Sequence, residues 1–167
     1  MRIRLVKLDD ISGNKTTFYS VYYNKDENSL FKQFLENYVI SFNSEILEIY
    51  NRLKVMGHGL GAREHFFKHE EGVPGDLVCA LYDNPEKKLR LYCIRYSDKL
   101  VLLGSGGVKP KKISALQDDP VLKRENQKVV QIARLIETRK NEGEIFISFN
   151  GLNFEGIKDL KDDYYEE

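Results

Sequence analysis

The chain has 167 residues, 41% hydrophobic and 31% charged, enough apolar mass for one packed domain and too much for wholesale disorder. Lys plus Arg number 26 and Asp plus Glu number 26, so net charge is zero, which argues against coating long nucleic acid or clinging to a membrane through a basic surface. No apolar run approaches a membrane span, the opening MRIRLVKLDD has no signal-peptide core, and two cysteines make no disulfide framework, so a soluble cytoplasmic protein is expected.

Residues 2–8 alternate polar and apolar, which predicts a strand. Ser12, Gly13 and Asn14 make a turn, and the β-branched and aromatic run 16–23 predicts a second strand. From Asn28 to Met56 the period becomes helical. Leu30, Phe34, Leu35 and Tyr38 share one face, and Ile46, Ile49, Leu53 and Met56 share another. Two helices are predicted, broken near Ser41–Asn43, with Ser44 as N-cap of the second and Gly57 as its stop. Their expected role is to cover one face of a sheet.

The middle reads as β, with strands predicted at 62–68, 77–83, 88–96 and 99–105. Asn84-Pro85 marks one turn and Ser97-Asp98 a tight one. A hairpin across Asn84-Pro85 pairing Tyr82 with Arg90 sets Cys79 opposite Cys93. A hairpin across Ser97-Asp98 pairing Tyr96 with Lys99 sets Ile94 opposite Val101. Alternation then gives two faces. Cys79, Leu81, Leu91, Cys93, Leu100 and Leu102 form the expected core under the first two helices. Tyr82, Arg90, Tyr92, Ile94, Tyr96, Lys99, Val101 and Ser105 form an aromatic and cationic face. The run Gly104-Ser105-Gly106-Gly107 lacks the GK[ST] ending of a phosphate loop and reads as a flexible connection.

Asp119-Pro120 predicts an N-cap followed by proline at the first helical position. Leu122, Val129, Ile132, Ala133 and Ile136 stripe the helix that follows, to about Asn141. Gly143 stops it, and 145–149 reads as a short last strand. Residues 151–167 hold six acids and two lysines, net −4, and end in DDYYEE. The expected division is a domain over 1–150 and an acidic, disordered tail over 151–167.

No nucleophile elbow, HExxH motif or zinc-like spacing of histidines with cysteines is present, so no metal and no cofactor are expected. The two cysteines read as small apolar residues. The β region carries Arg63, His65, Lys68, Arg90, Arg95, Lys109, Lys111 and Lys112, interleaved with Tyr82, Tyr92 and Tyr96. Cations that hold phosphates beside rings that stack bases suit single-stranded RNA. The blander reading is a solvated sheet face.

The stretches GAREHFFK and LRLYCIRYSDKLVLLGSGGVKPKK, followed by AL and DP, resemble the RelE/ParE superfamily of bacterial toxins, closest to its HigB or phage Gp49-like branch. Arg63-Glu64, Arg90-Leu91-Tyr92, and Leu100–Leu103 with the basic exit Lys109, Lys111 and Lys112 carry the likeness. It covers about residues 16–140 and is sharpest over 62–120. The family's Phe before the lysine pair is replaced by Gly106-Gly107-Val108, and Pro110 splits the pair. Residues 69–76 look inserted. The resemblance implies an α+β, RelE-like single domain: an antiparallel twisted sheet, two N-terminal helices on one face and a C-terminal helix. It implies a type II toxin–antitoxin toxin that cuts mRNA on the ribosome without a metal and is neutralised by a cognate antitoxin, of helix-turn-helix type. On that reading Arg90 stabilises the phosphoryl charge, His65 transfers a proton, and Tyr92 stacks a base or donates a proton. Arg63, Lys68, Arg95, Lys109, Lys111 and Lys112 hold RNA. The alternatives are a non-catalytic RelE-like binding module, a ParE-like toxin acting on a protein such as gyrase, and a structural partner whose acidic tail mediates assembly.

Overall fold

The computed structural model describes residues 1–69, 71–111 and 119–162. Two strands, β1 (Arg2–Lys7) and β2 (Thr17–Tyr23), precede the helices α1 (Leu30–Tyr38) and α2 (Asn43–Val55). Ser29 caps α1 by accepting from the Lys32 amide, and a π-helical turn, Met56–Leu60, continues α2. Then come β3 (Phe67–Lys68), β4 (Val78–Leu81), β5 (Leu89–Ser97), β6 (Leu100–Val108), α3 (Pro120–Asn141), β7 (Ile145–Ile147), β8 (Phe154–Gly156) and β9 (Asp159–Lys161). Asp119 caps α3 as its sequence predicts, accepting from the Val121 and Leu122 amides at 3.1 and 3.0 Å.

The class is mixed α+β. Seven strands form one sheet in the order β3-β4-β5-β6-β2-β1-β9, and β7 and β8 form a separate ribbon. Pairing is antiparallel except between β2 and β6, which run parallel, so the expected all-antiparallel sheet is corrected at that seam. The parallel pairing arises because α1, α2 and the first half of the sheet lie between these strands in sequence.

Both sheet faces are covered. Phe31, Phe34, Ile46, Ile49 and Leu53 of α1 and α2 pack on Cys79, Leu81, Leu91, Cys93, Val101 and Leu103. Leu122, Val129, Ile132 and Ile136 of α3 pack on Val78, Ala80, Tyr92, Ile94, Leu100 and Leu102. Each of the buried Val, Leu, Ile and Phe side chains stabilises the fold by roughly 1.5–3 kcal/mol before entropy is set against it.

The β4–β5 register is the one read from sequence, with Cys79 opposite Cys93 and Val78 opposite Ile94. The β5–β6 register is not. The turn is Asp98-Lys99, closing Ser97 on Leu100, and Tyr96 is an extra residue on β5, so Ile94 faces Leu102. A bulge changes the count on one strand without disturbing alternation on either. The faces of β6 are therefore exchanged: Val101 and Leu103 lie under α1 and α2, while Leu100 and Leu102 lie under α3. The aromatic face is covered by α3 at Tyr92, which is only 5% exposed, while Tyr82 stays outside.

The run 104–107 is strand, not a flexible connection. Its glycines answer to close approach: a Cβ on Gly106 would sit 1.7 Å from the Arg90 carbonyl oxygen, and one on Gly104 would sit 2.5 Å from Val129 Cγ2. Of the expected strand 62–68 only Phe67–Lys68 is extended, since Glu64–Phe66 forms a 3-10 turn. Leu77 adopts φ +67°, which delays the start of β4.

The segment expected to be a disordered tail is structured to Asp162. β9 pairs with β1 at Arg2–Lys161, Ile3–Leu160 and Arg4–Asp159. Arg2 donates from Nε and Nη2 to both carboxylate oxygens of Asp159, at 2.8 and 2.7 Å, and Leu160 is buried in the α3-side core. The tail's acidity is complementary to the basic edge strand, and that makes an edge into a pairing site. Among the described residues no helix is long and apolar enough to cross a membrane.

Candidate functional site

A charged cluster lies where β3, β4, β5 and β6 end together beside the start of α3. Its centre is Asp83, just past β4 and only 4% exposed. Arg90, near the start of β5, donates Nε to Asp83 Oδ2 at 3.0 Å and Nη2 to Oδ1 at 2.9 Å. Lys68 of β3 donates to the same Oδ1 at 2.9 Å, and Lys109, just past β6, at 3.1 Å. Arg90 Nη1 reaches Glu71 Oε1 at 3.3 Å. Asn126 of α3 holds the Glu71 carbonyl at 2.6 Å, and Lys109 also donates to the Asn84 carbonyl at 2.9 Å. Lys68 lies 5.4 Å from the Tyr82 ring centroid.

Three cations and two carboxylates leave the cluster at net +1, in a setting where each interaction is stronger than in water. Burial pushes the Asp83 pKa up, but the hydrogen bonds and charge of Arg90, with those of Lys68 and Lys109, outweigh it and leave it below the usual carboxylate value. Burial lowers the Arg90 pKa, and Asp83 with Glu71 more than restores it, so this guanidinium stays charged. Glu71 behaves oppositely to Asp83. Its desolvation exceeds the help from Arg90, and its carboxyl is raised above its ordinary value. Tyr92 is pushed up to about 12, chiefly by burial, so its phenol is a neutral donor at working pH.

Of the residues singled out by sequence, the structure brings together Arg90, Lys68 and Lys109, with Tyr92 beside them. It does not bring His65, whose exposed ring lies 4.2 Å from that of Phe66 on the turn before β3. Arg63 is exposed and donates to the Leu60 carbonyl at 3.0 Å. Arg95 serves the hairpin end, donating to the Ala62 carbonyl at 2.8 Å and to Asp98. Lys111 is exposed beyond Lys109. Lys112 lies outside the described residues. Tyr96 is turned under α3 with Phe154, 5.2 Å between ring centroids, and its hydroxyl is buried.

Sequence reasoning missed Glu71 and Asp83. Asp83 had a signal: it follows Tyr82, the residue set opposite Arg90 in the β4–β5 hairpin. Glu71 had none, because it reaches the cluster through the folding of the connection between β3 and β4. Among the described residues no group of three or more His, Cys, Asp or Glu side chains is placed to hold a metal ion.

No protein-family model matches the chain, and neither does any curated protein or solved structure.

Proposed function

We propose that this protein is a RelE-like toxin of a type II toxin–antitoxin pair, a metal-independent endoribonuclease acting on mRNA in the ribosome. The observation that carries the reading is the convergence of Glu71, a half-buried carboxylate of raised pKa, on Arg90, with Lys68, Lys109 and the Tyr92 phenol alongside. RNA cleavage needs a proton acceptor, fixed positive charge and a proton donor within one site. Glu71 takes the proton of a 2′-hydroxyl, whose oxygen attacks the adjacent phosphorus. Arg90, Lys68 and Lys109 stabilise the charge that grows on the phosphoryl oxygens. The bond to the 5′-oxygen breaks, Tyr92 protonates the leaving oxygen, and a 2′,3′-cyclic phosphate remains. The role first given to His65 passes to Glu71, since His65 takes no part in the cluster's ion pairs. Two helices ahead of the β3–β6 strands and the basic exit at Lys109 and Lys111 support the RelE-like assignment, while β1 and β9 make the sheet larger than that family's.

The test is induced expression in bacteria, with growth and transcript integrity followed together, and cleavage of mRNA on purified ribosomes. Arrest with broken mRNA is expected. Glu71→Gln should lower cleavage by about 100-fold or more with the fold intact. Arrest with intact mRNA refutes the nuclease and points to a protein target such as gyrase. A second reading, a non-catalytic binding module, is favoured by one observation: the Arg90 guanidinium is bonded by two carboxylates and buried. Absence of arrest and of cleavage would select it.

A further inference from the structure

The Asp83 carboxylate accepts four charge-assisted hydrogen bonds, three of them on Oδ1, from three side chains that sit on or directly beside strands. That is the donor set a phosphate oxygen would meet, since a guanidinium fork matches carboxylate and phosphate alike. The cations are held by β3, β5 and β6, whereas the anion is carried by the irregular segment 82–88. This segment is anchored at its two ends, and Lys109 also holds the Asn84 carbonyl at 2.9 Å beside Asp83. The Tyr82 amide donates to the Phe66 carbonyl at 2.8 Å and the Tyr82 carbonyl accepts from Arg52 at 2.6 Å. The Lys88 and Leu89 amides donate to Glu45 Oε1 at 2.8 and 3.1 Å. Between the anchors, Asn84 to Lys87 form a surface turn, with the Lys87 amide on the Asn84 carbonyl at 3.0 Å.

We propose that Asp83 is a built-in competitor for the substrate phosphate: its carboxylate fills the anion site of Arg90, Lys68 and Lys109 in the free protein, and an RNA phosphodiester enters by displacing it. Exchanging one singly charged anion for another leaves the cluster at the same net charge. No cation is then left buried and bare, which would be the costly intermediate. The displaced carboxylate moves towards solvent beside the Asn84–Lys87 turn. The protein is thereby closed until a phosphate of sufficient affinity arrives. This inference rests on the nuclease reading only for the nature of the phosphate, and the experiment separates the two.

Asp83→Asn keeps the shape of the side chain and removes the competing charge. Affinity for a short fluorescently labelled RNA, read by anisotropy at fixed salt, should rise by about tenfold or more, as expected when an ion-paired competitor is removed. Inorganic phosphate, read by its protection against thermal unfolding, should gain likewise. A folded Asp83→Asn with unchanged or weaker binding of both probes overturns the proposal, even if the wild type cleaves RNA. Gain for phosphate without gain for RNA upholds the self-occupied site and refutes the nuclease. Should Asp83→Asn not fold, hydrogen exchange on the wild type decides: inorganic phosphate should speed exchange at the amides of Asp83, Asn84, Glu86 and Lys87, and unchanged or slowed exchange overturns the proposal.

Discussion

Replacing Arg90 with alanine tests whether the charged cluster is a structural network as well as a candidate site. The substitution removes both hydrogen bonds to Asp83 and the 3.3 Å contact with Glu71, all made by a side chain only 7% exposed. Breaking a buried ion pair from one side costs roughly 3–5 kcal/mol, most of it the penalty on the partner left behind. Asp83 is not left alone, because Lys68 and Lys109 still reach its Oδ1. The loss should therefore fall at the lower end, about 3 kcal/mol. For a chain of this size that lowers the melting temperature by roughly 6–12 °C. Urea unfolding followed by circular dichroism measures it. Arg90→Lys should lose less, since it keeps the charge and gives up the fork. In the double variant Arg90→Ala with Asp83→Ala, the second change should cost less than it does alone, because the Arg90–Asp83 bonds it would break are already gone. A loss under about 1 kcal/mol in Arg90→Ala, the size of a surface pair, refutes the reasoning. The same numbers bear on function: lost toxicity in Arg90→Ala supports a catalytic role for Arg90 only in protein shown to be folded.

Two further outcomes check other parts of the account. Leu160→Ala should destabilise the protein by about 2–4 kcal/mol, because Leu160 is 2% exposed in the α3-side core; chemical denaturation of the full chain measures this, and a change near zero would return residues 151–162 to the status of a tail. The two carboxylates should act oppositely on stability with pH. The lowered pKa of Asp83 means a contribution fully present above its unfolded value and lost as pH falls through its folded one. The raised pKa of Glu71 means a cost present at neutral pH and relieved as pH falls through its folded value. Glu71→Gln removes that cost, so its stability relative to wild type should be greatest near neutrality and shrink on acidification towards pH 4–5, the range of an ordinary glutamate. A relative stability that grows on acidification would contradict the assignment.

What the sequence determined by itself is local. Stripes at helical spacing placed α1, α2 and α3 to within a few residues, and Asp119-Pro120 placed the start of α3. The Asn84-Pro85 turn carried the β4–β5 register, Cys79 on Cys93, because a hairpin joins neighbours through a turn whose chemistry is written in its residues. Arg90, Lys68 and Lys109 could be named from their chemistry, without knowledge that they would meet on one carboxylate.

Tertiary structure decided the rest. One extra residue at Tyr96 exchanged the two faces of β6, and alternation is blind to a bulge because a pattern of period two reads the same from either register. The parallel seam between β2 and β6, the docking of β9 on β1 and the covering of Tyr92 and Tyr96 by α3 join segments far apart in the chain, and no local pattern encodes such partners. Glu71 is the plainest case. Its place against Arg90 is set by how the connection between β3 and β4 folds and by Asn126 reaching across from α3, 55 residues away. A surface glutamate and a half-buried one of raised pKa are the same letter. Only the packing that removes water from one of them raises its pKa above the ordinary carboxylate value.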